Sequence, residues 1–209
     1  MSVNLVKRLS PKALSPRFRG DERAGMISVL LALALALALS ACAAPHVQPP
    51  LIPPPGFAGA AVRDRVLVMS DGAQLPYLRW APADRAPWAV IVALHGMNDH
   101  DASFRLAGPW WAEQGIETWA YDQRGFGAAP GRGVWAGQAR MTDDLREITA
   151  LARARHPGAV IAVVGESMGG SVAAAAFGSD RPPDADRVVL LAPGVWGWST
   201  QGVLDSAAL

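Results

Sequence analysis

One short run, Gly165-Glu166-Ser167-Met168-Gly169-Gly170, has the residue types and spacing of a nucleophile site. A serine at the centre of a G-x-S-x-G pattern, between an apolar strand-like run and a small-residue helical one, is pushed out at a strained strand-to-helix turn. Flanking glycines permit close backbone approach, and the helix N-terminus favours the negative charge that develops as the hydroxyl attacks a carbonyl. That attack needs two N–H donors for the oxyanion. One belongs to the residue after the nucleophile, Met168. The other comes from the loop after an earlier strand, here His95-Gly96-Met97-Asn98-Asp99, and points to Met97. His95 is expected to shape this loop and not to act as the base, which comes late in the chain in this layout. Asp99, His100 and Asp101 lack further ligands at metal-site spacing, so they read as a solvated loop and no metal is expected.

A second run, Tyr121-Asp122-Gln123-Arg124-Gly125-Phe126-Gly127, places an Asp and an Arg one residue apart ahead of two glycines. This suits a half-buried turn pinned by charge-assisted hydrogen bonds, so Asp122, Arg124 and Gly125 read as structural. Asn98 and Gln123 are candidates for a pocket rim. Trp110, Trp111, Trp135, Trp196 and Trp198 are candidates for an apolar binding surface, with core packing as the competing role for each.

Strands and helices must alternate to present these groups. Residues 66–69 and 74–80 surround the turn Ser70-Asp71-Gly72 and read as an antiparallel pair. Residues 88–94 form a continuous apolar run, as in a strand covered on both faces. A helix is expected over 103–114, a strand over 116–121, and a helix starting at Thr142 and ending at His156-Pro157-Gly158. A strand over 160–164, a helix over 167–177 and a last strand over 187–191 complete the pattern. Such alternation implies an α/β fold, a mostly parallel sheet with helices on both faces.

Composition bounds the rest. The 209 residues are 51% hydrophobic and 18% charged, which excludes a disordered chain. A formal net charge of +1 gives no reason to expect nucleic acid, and a single cysteine excludes a disulfide framework within the chain. The charge is unevenly spread. Residues 1–41 carry six Lys/Arg against two acids, a net of +4, whereas 13 Arg face 16 acids from residue 42 onward, a net of −3. Met26 to Leu39 is an uncharged run of 14 residues that would reach about 21 Å as a helix, short of a hydrocarbon core of about 30 Å. Basic residues ahead of it and small residues behind it make an export signal over 1–41.

Leu39-Ser40-Ala41-Cys42 resembles the bacterial lipobox. The resemblance implies cleavage before Cys42 and its lipidation, which would anchor the chain to the cell envelope. The residue after it, Ala43, is not acidic, which points to the outer membrane, facing the periplasm. Residues 42–56 are expected as a Pro-rich linker that holds a domain over 57–209 away from the membrane.

Taken in order, His95-Gly96, the 122–127 run and the 165–170 run resemble the monoacylglycerol lipase / lysophospholipase branch of the α/β-hydrolase fold, also described as serine aminopeptidase S33-like. The resemblance covers about residues 60 to 200. It implies Ser167 as nucleophile, no metal or organic cofactor, and an acyl ester of the lysophospholipid or monoacylglycerol class as substrate, with peptide hydrolysis as a variant. It also implies a triad in the order Ser, Asp, His. All four histidines precede Ser167: His46, His95, His100 and His156. Asp180, Asp184 and Asp186 come too early for the acid, and Asp205 stands where the family's cap begins. The expectation is therefore an α/β-hydrolase domain truncated before its cap, last strands, acid and base. The alternative is a catalytically inactive scaffold that acts at most as a binding protein.

Overall fold

The computed structural model describes residues 18–41, 46–49 and 51–195; Cys42, Trp196, Trp198 and Asp205 lie outside them. The chain divides into two compact units, residues 1–45 and 46–209. In the first, α1 (Phe18–Ala41) is one helix. Alternating Ala and Leu are strong helix formers, and the helix extends beyond that apolar run into the charged residues before Met26. Among the described residues, no helix is long and apolar enough to cross a membrane.

The second unit is built on a seven-stranded sheet, in the order β1-β2-β3-β5-β4-β6-β7. Strands β1 (Ala61–Val62), β2 (Val66–Val68) and β3 (Gln74–Trp80) are antiparallel, and β3 pairs antiparallel with β5 (Ile116–Tyr121). From β5 the sheet is parallel through β4 (Ala89–Leu94), β6 (Val160–Glu166) and β7 (Arg187–Leu191). Strand β4 is buried at every position, as its continuous apolar run requires. Its residues alternate between two cores with the period of a strand. Val90, Val92 and Leu94 join Trp119, Ile161 and Val163, whereas Ile91 and Ala93 join Phe104, Ala120 and Val164.

Helices cover both faces. On the larger core, α3 (Gln138–Arg155) contributes Met141, Leu145, Ile148 and Ala152, and α4 (Met168–Phe177) contributes Val172, Ala173 and Ala176. The smaller core is covered by a 3₁₀ turn over Asp101–Phe104 and by α2 (Ala107–Glu113), whose Trp111 packs against it. Strand β7 is exposed at all five positions, so Val188, Val189, Leu190 and Leu191 present an apolar sheet edge.

Three local expectations change. The helix expected over 103–114 is split, because Pro109 has no N–H for the carbonyl of Arg105 and its ring would clash there; proline fits only the first turn of α2. Helix α3 begins at Gln138, ahead of the expected Thr142. The Thr142 hydroxyl is inside the helix and donates to the Ala139 carbonyl at 2.9 Å, and Asp144 points into the protein. The Pro-rich segment is not wholly a free spacer. The Gln48 N–H donates to the Trp135 carbonyl at 2.9 Å, and the Gln48 side-chain amide donates to the carbonyls of Val134 at 2.7 Å and Gly131 at 3.2 Å.

One buried acid had no signal in the hydrophobic pattern. Glu117, in the middle of β5, receives Arg79 Nε at 2.6 Å and Nη2 at 2.8 Å, and Trp119 Nε1 at 2.6 Å. Burial works against its charge, but the Arg79 and Trp119 bonds outweigh burial and hold its pKa below the usual carboxylate value.

Candidate active site

Ser167 occupies the single residue between β6 and α4, at φ +49° and ψ −111°. A left-handed conformation is uncommon for a residue with a Cβ and costs on the order of 1–3 kcal/mol, so it persists only where its surroundings hold it. Here three backbone bonds do so. The Ser167 N–H donates to the Leu191 carbonyl at 2.9 Å, and the Ser167 carbonyl accepts from the N–H groups of Ser171 at 3.0 Å and Gly194 at 3.1 Å. The side chain is exposed at the C-terminal end of the parallel strands, where ligands bind in open α/β sheets.

Space explains the glycines around it. A Cβ on Gly165 would stand 2.5 Å from the Gly169 carbonyl oxygen, and one on Gly169 would stand 2.5 Å from the Leu94 carbonyl oxygen and 2.7 Å from that of His95. Helix α4 therefore leaves the sheet in direct backbone contact with the end of β4. The same contact brings in the loop after β4: a Cβ on Gly96 would lie 3.5 Å from the Ser167 Cβ. Asn98 in this loop has φ +61°, and the Asp99 N–H closes a turn on the Gly96 carbonyl at 3.3 Å. Met97 is exposed and Met168 is buried.

His95 is fully buried and both ring nitrogens are engaged. Nε2 accepts the Gln123 N–H at 3.1 Å, which leaves Nδ1 as the donor to the Gly96 carbonyl at 2.7 Å. The Gln123 amide donates to the His95 carbonyl at 2.8 Å, and Phe126 meets the ring edge-on. This neutral imidazole ties the β4 loop to the β5 loop. Burial lowers its pKa below 6.5, with the Gly96 bond opposing. An unfolded chain binds this proton more readily, so the stability His95 contributes is complete above pH 6.5 and is lost as pH falls through its lowered folded value. Between pH 7.5 and 5.5 this group is expected to contribute a fall in stability of at most about 1.4 kcal/mol per pH unit. It is opposed by Asp144, whose pKa is raised to about 6, so the readout is the difference between melts of wild type and a His95 variant. That fall is expected to be smaller in His95→Gln.

The β5 loop is held by charge-assisted hydrogen bonds. Asp122 is buried and accepts from the N–H groups of Asp101 and Ala128, both at 2.7 Å. Arg124 is buried between two acids, and its partners lie far off in sequence. Its guanidinium donates to both oxygens of Asp144, each at 2.7 Å, and to those of Asp71 at 2.7 and 2.9 Å. Burial opposes the Asp71 carboxylate, but the bonds from Arg124 and the Ala73 N–H outweigh it and hold its pKa low. Asp144 is more deeply buried, and burial pushes it up to about 6 against the pull of Arg124. Gly125 donates to the Pro130 carbonyl at 3.0 Å and accepts from Gly133 at 2.8 Å, which closes the loop that follows.

A cleft of about 400 Å³ opens between the two loops, lined by Met97, Asn98, Asp99, Phe126, Arg132 and Trp135 among others. Of the two rim candidates, Asn98 lines it, but Gln123 is buried beneath it as the partner of His95. Trp135 lines the cleft, Trp111 packs on the smaller core, and Trp110 is exposed away from both. His100 accepts the Ala102 N–H at 3.2 Å and so caps the 3₁₀ turn, and no cluster of metal-ligating side chains occurs among the described residues. Asp71 lies in a turn and Gln48 in the Pro-rich segment, and no signal within those segments marks them as partners of the loops that wall the cleft.

Comparison with known proteins agrees with this geometry. The chain is 30% identical over 125 residues to a monoacylglycerol lipase of Mycolicibacterium smegmatis, a match that covers 59% of this chain and 44% of that protein. It is also 30% identical over 107 residues to an uncharacterized abhydrolase domain-containing protein of Dictyostelium discoideum, over 51% of this chain and 11% of the other. The chain thus spans less than half the length of either relative. Among solved structures, an esterase from Exiguobacterium antarcticum matches with a TM-score of 0.51 at 17% identity, over 64% of this chain and 46% of that one. Est1E from Butyrivibrio proteoclasticus, solved with ferulic acid bound, matches with a TM-score of 0.50 at 18% identity, over 61% and 52%. These likenesses identify the α/β-hydrolase fold. A family model covers residues 85–208, from just before β4 through the elbow and beyond, and so the chain belongs to the serine aminopeptidase S33 family of hydrolases.

Proposed function

We propose that these residues carry the nucleophile and oxyanion half of a serine carboxylester hydrolase that acts on acyl esters of the monoacylglycerol or lysophospholipid class. The observation that carries the reading is Ser167, held exposed at φ +49° beside the Gly96 loop. In this reading Ser167 Oγ attacks the ester carbonyl carbon and its proton passes to a base. The N–H groups of Met97 and Met168 receive the negative oxygen. Collapse of the tetrahedral adduct breaks the ester C–O bond, the alcohol leaves with the proton, and water then releases the acid from the serine. The lipase similarity supports an acyl ester over a peptide. The chemistry as written uses no metal or organic cofactor.

The base is not among the histidines here. All four precede Ser167, and His95 has both nitrogens committed. We therefore place the acid and base of the triad outside these 209 residues. The engagement of both His95 ring nitrogens favours a second reading, a scaffold that binds ligands without turning them over. Cys42, outside the described residues, is proposed as the lipidation site of an exported protein anchored to the envelope.

A fluorophosphonate, which phosphonylates activated serines, separates the two. The 209-residue chain is expected to label weakly, and a version extended by a family C-terminal half to label strongly, with Ser167→Ala silent in both. Equal, weak labelling of the extended chain and its Ser167→Ala variant would overturn the catalytic reading.

A further inference from the structure

The loop over residues 130–135 forms one wall of the cleft, yet few of its backbone groups are satisfied within its own element. Gly125 and Gly133 bond to each other, and the Val134 N–H turns back to Gly131. The carbonyls of Val134 and Trp135 are taken up instead by Gln48, more than 80 residues earlier in the chain, and the Gly131 carbonyl accepts from Gln48 at 3.2 Å in addition to the Val134 N–H. A half-buried amide with two donors, joined by its own backbone N–H, matches three carbonyl acceptors. Val47 adds a parallel bridge to Trp135. The fit is close: a Cβ on Gly131 would overlap the Gln48 amide, and one on Gly125 would meet the Val134 oxygen at 2.5 Å and Gln48 Nε2 at 3.3 Å.

From this geometry we propose that Gln48 is a positioning residue for the substrate cleft: the segment around it straps the 131–135 wall and thereby sets the affinity for the acyl-ester substrate. The proposal rests on the acyl-ester reading of Ser167 and takes the cleft, which is lined by Met97 of the loop beside Ser167, as the place of the substrate. Arg132 and Trp135 are cleft-lining residues of the strapped loop, whereas Gln48 itself is not in the cleft. Loss of Gln48 therefore acts on ligand binding only through the loop.

Two measurements on the 209-residue chain test it. Trypsin cuts after Arg132, which is exposed in the strapped loop, and after Arg105, which is exposed elsewhere. Gln48→Ala is expected to speed cleavage at Arg132 roughly tenfold through local opening, with Arg105 unchanged. The second measurement is calorimetric binding of 1-O-octylglycerol, a monoalkylglycerol in which an ether replaces the ester of a monoacylglycerol, so that it cannot be hydrolysed. Its Kd is expected to rise roughly tenfold in Gln48→Ala, on the same hydrogen-bond grounds. Gln48→Lys keeps a donor and is expected to restore both values towards wild type. Gln48→Glu sets an acceptor against two carbonyls and is expected to be at least as impaired as Ala.

A probe that binds wild type and Gln48→Ala equally overturns this proposal alone. Faster cleavage at Arg105 and Arg132 together also overturns it, because the residue would then be supporting global stability. A wild-type chain that binds no probe overturns the acyl-ester reading of the cleft and this proposal with it.

Discussion

Replacing Arg124 with methionine is expected to lower the free energy of unfolding by about 3–5 kcal/mol, the range for removing one partner of a buried ion pair. Methionine keeps most of the volume, so the loss is electrostatic and not a cavity. Asp144 and Asp71 together take four hydrogen bonds from the Arg124 guanidinium, and all three residues are buried or nearly so. Without Arg124, Asp144 has no ion-pair partner among the described residues, and there Asp71 keeps only the longer contact to Arg140 at 3.3 Å. The effect carries a pH signature. Burial already pushes Asp144 up to about 6, and removing Arg124 takes away the pull that opposes burial. In the variant, Asp144 gains stability by protonation as pH falls and loses it as pH rises through the raised value. Denaturant unfolding is therefore expected to show a smaller deficit at pH 5 than at pH 7.5. A deficit under 1 kcal/mol at pH 7.5 would show that the triad is solvated and contributes little.

The second large effect is expected at Gly169. Alanine there sets a Cβ against the carbonyl oxygens of Leu94 and His95, at 2.5 and 2.7 Å, and neither can swing aside as a side-chain tip could. Alanine favours a helix over glycine by about 1 kcal/mol, which offsets part of the clash. Overpacking usually costs about 1–3 kcal/mol, and more where backbone must move, so a net loss of about 2 kcal/mol is expected. For a unit of this size that corresponds to a Tm lower by roughly 4–8 °C. The same displacement moves α4 and Ser167 away from the Gly96 loop, so fluorophosphonate labelling of the extended chain is expected to fall with it. Gly158→Ala is the control: nothing lies within 4 Å of its added Cβ and its φ is not positive, so its Tm is expected to hold or rise slightly. Similar melts for the two variants would mean that α4 has slack against β4.

Within the fold, the elements legible in the sequence are those whose signal is local. Residues 88–94 are apolar throughout because both faces of β4 are covered, and 116–121 and 187–191 match β5 and β7 at both ends. The elbow was legible for the same reason. Its glycines, serine and flanking strand and helix are neighbours in the chain, and the φ of Ser167 follows from that sequence of types. Where local signals competed, the nearest one misled. Thr142-Asp143-Asp144 has the residues of a helix start, but Asp144 is there to receive Arg124, and α3 begins four residues earlier.

The order of types along the chain thus determined the α/β alternation, the place of Ser167 at its strand-to-helix turn and the loop beside it, because periodicity and turn chemistry act over a few residues. Only the tertiary structure decided which distant groups meet. Arg124 lies 53 residues from Asp71 and 20 from Asp144, and Gln48 lies more than 80 residues from the carbonyls it satisfies. A buried charge or carbonyl must find a partner somewhere, but that requirement fixes no sequence distance. The pairing that holds each wall of the cleft is set by which strands and loops the sheet order places side by side.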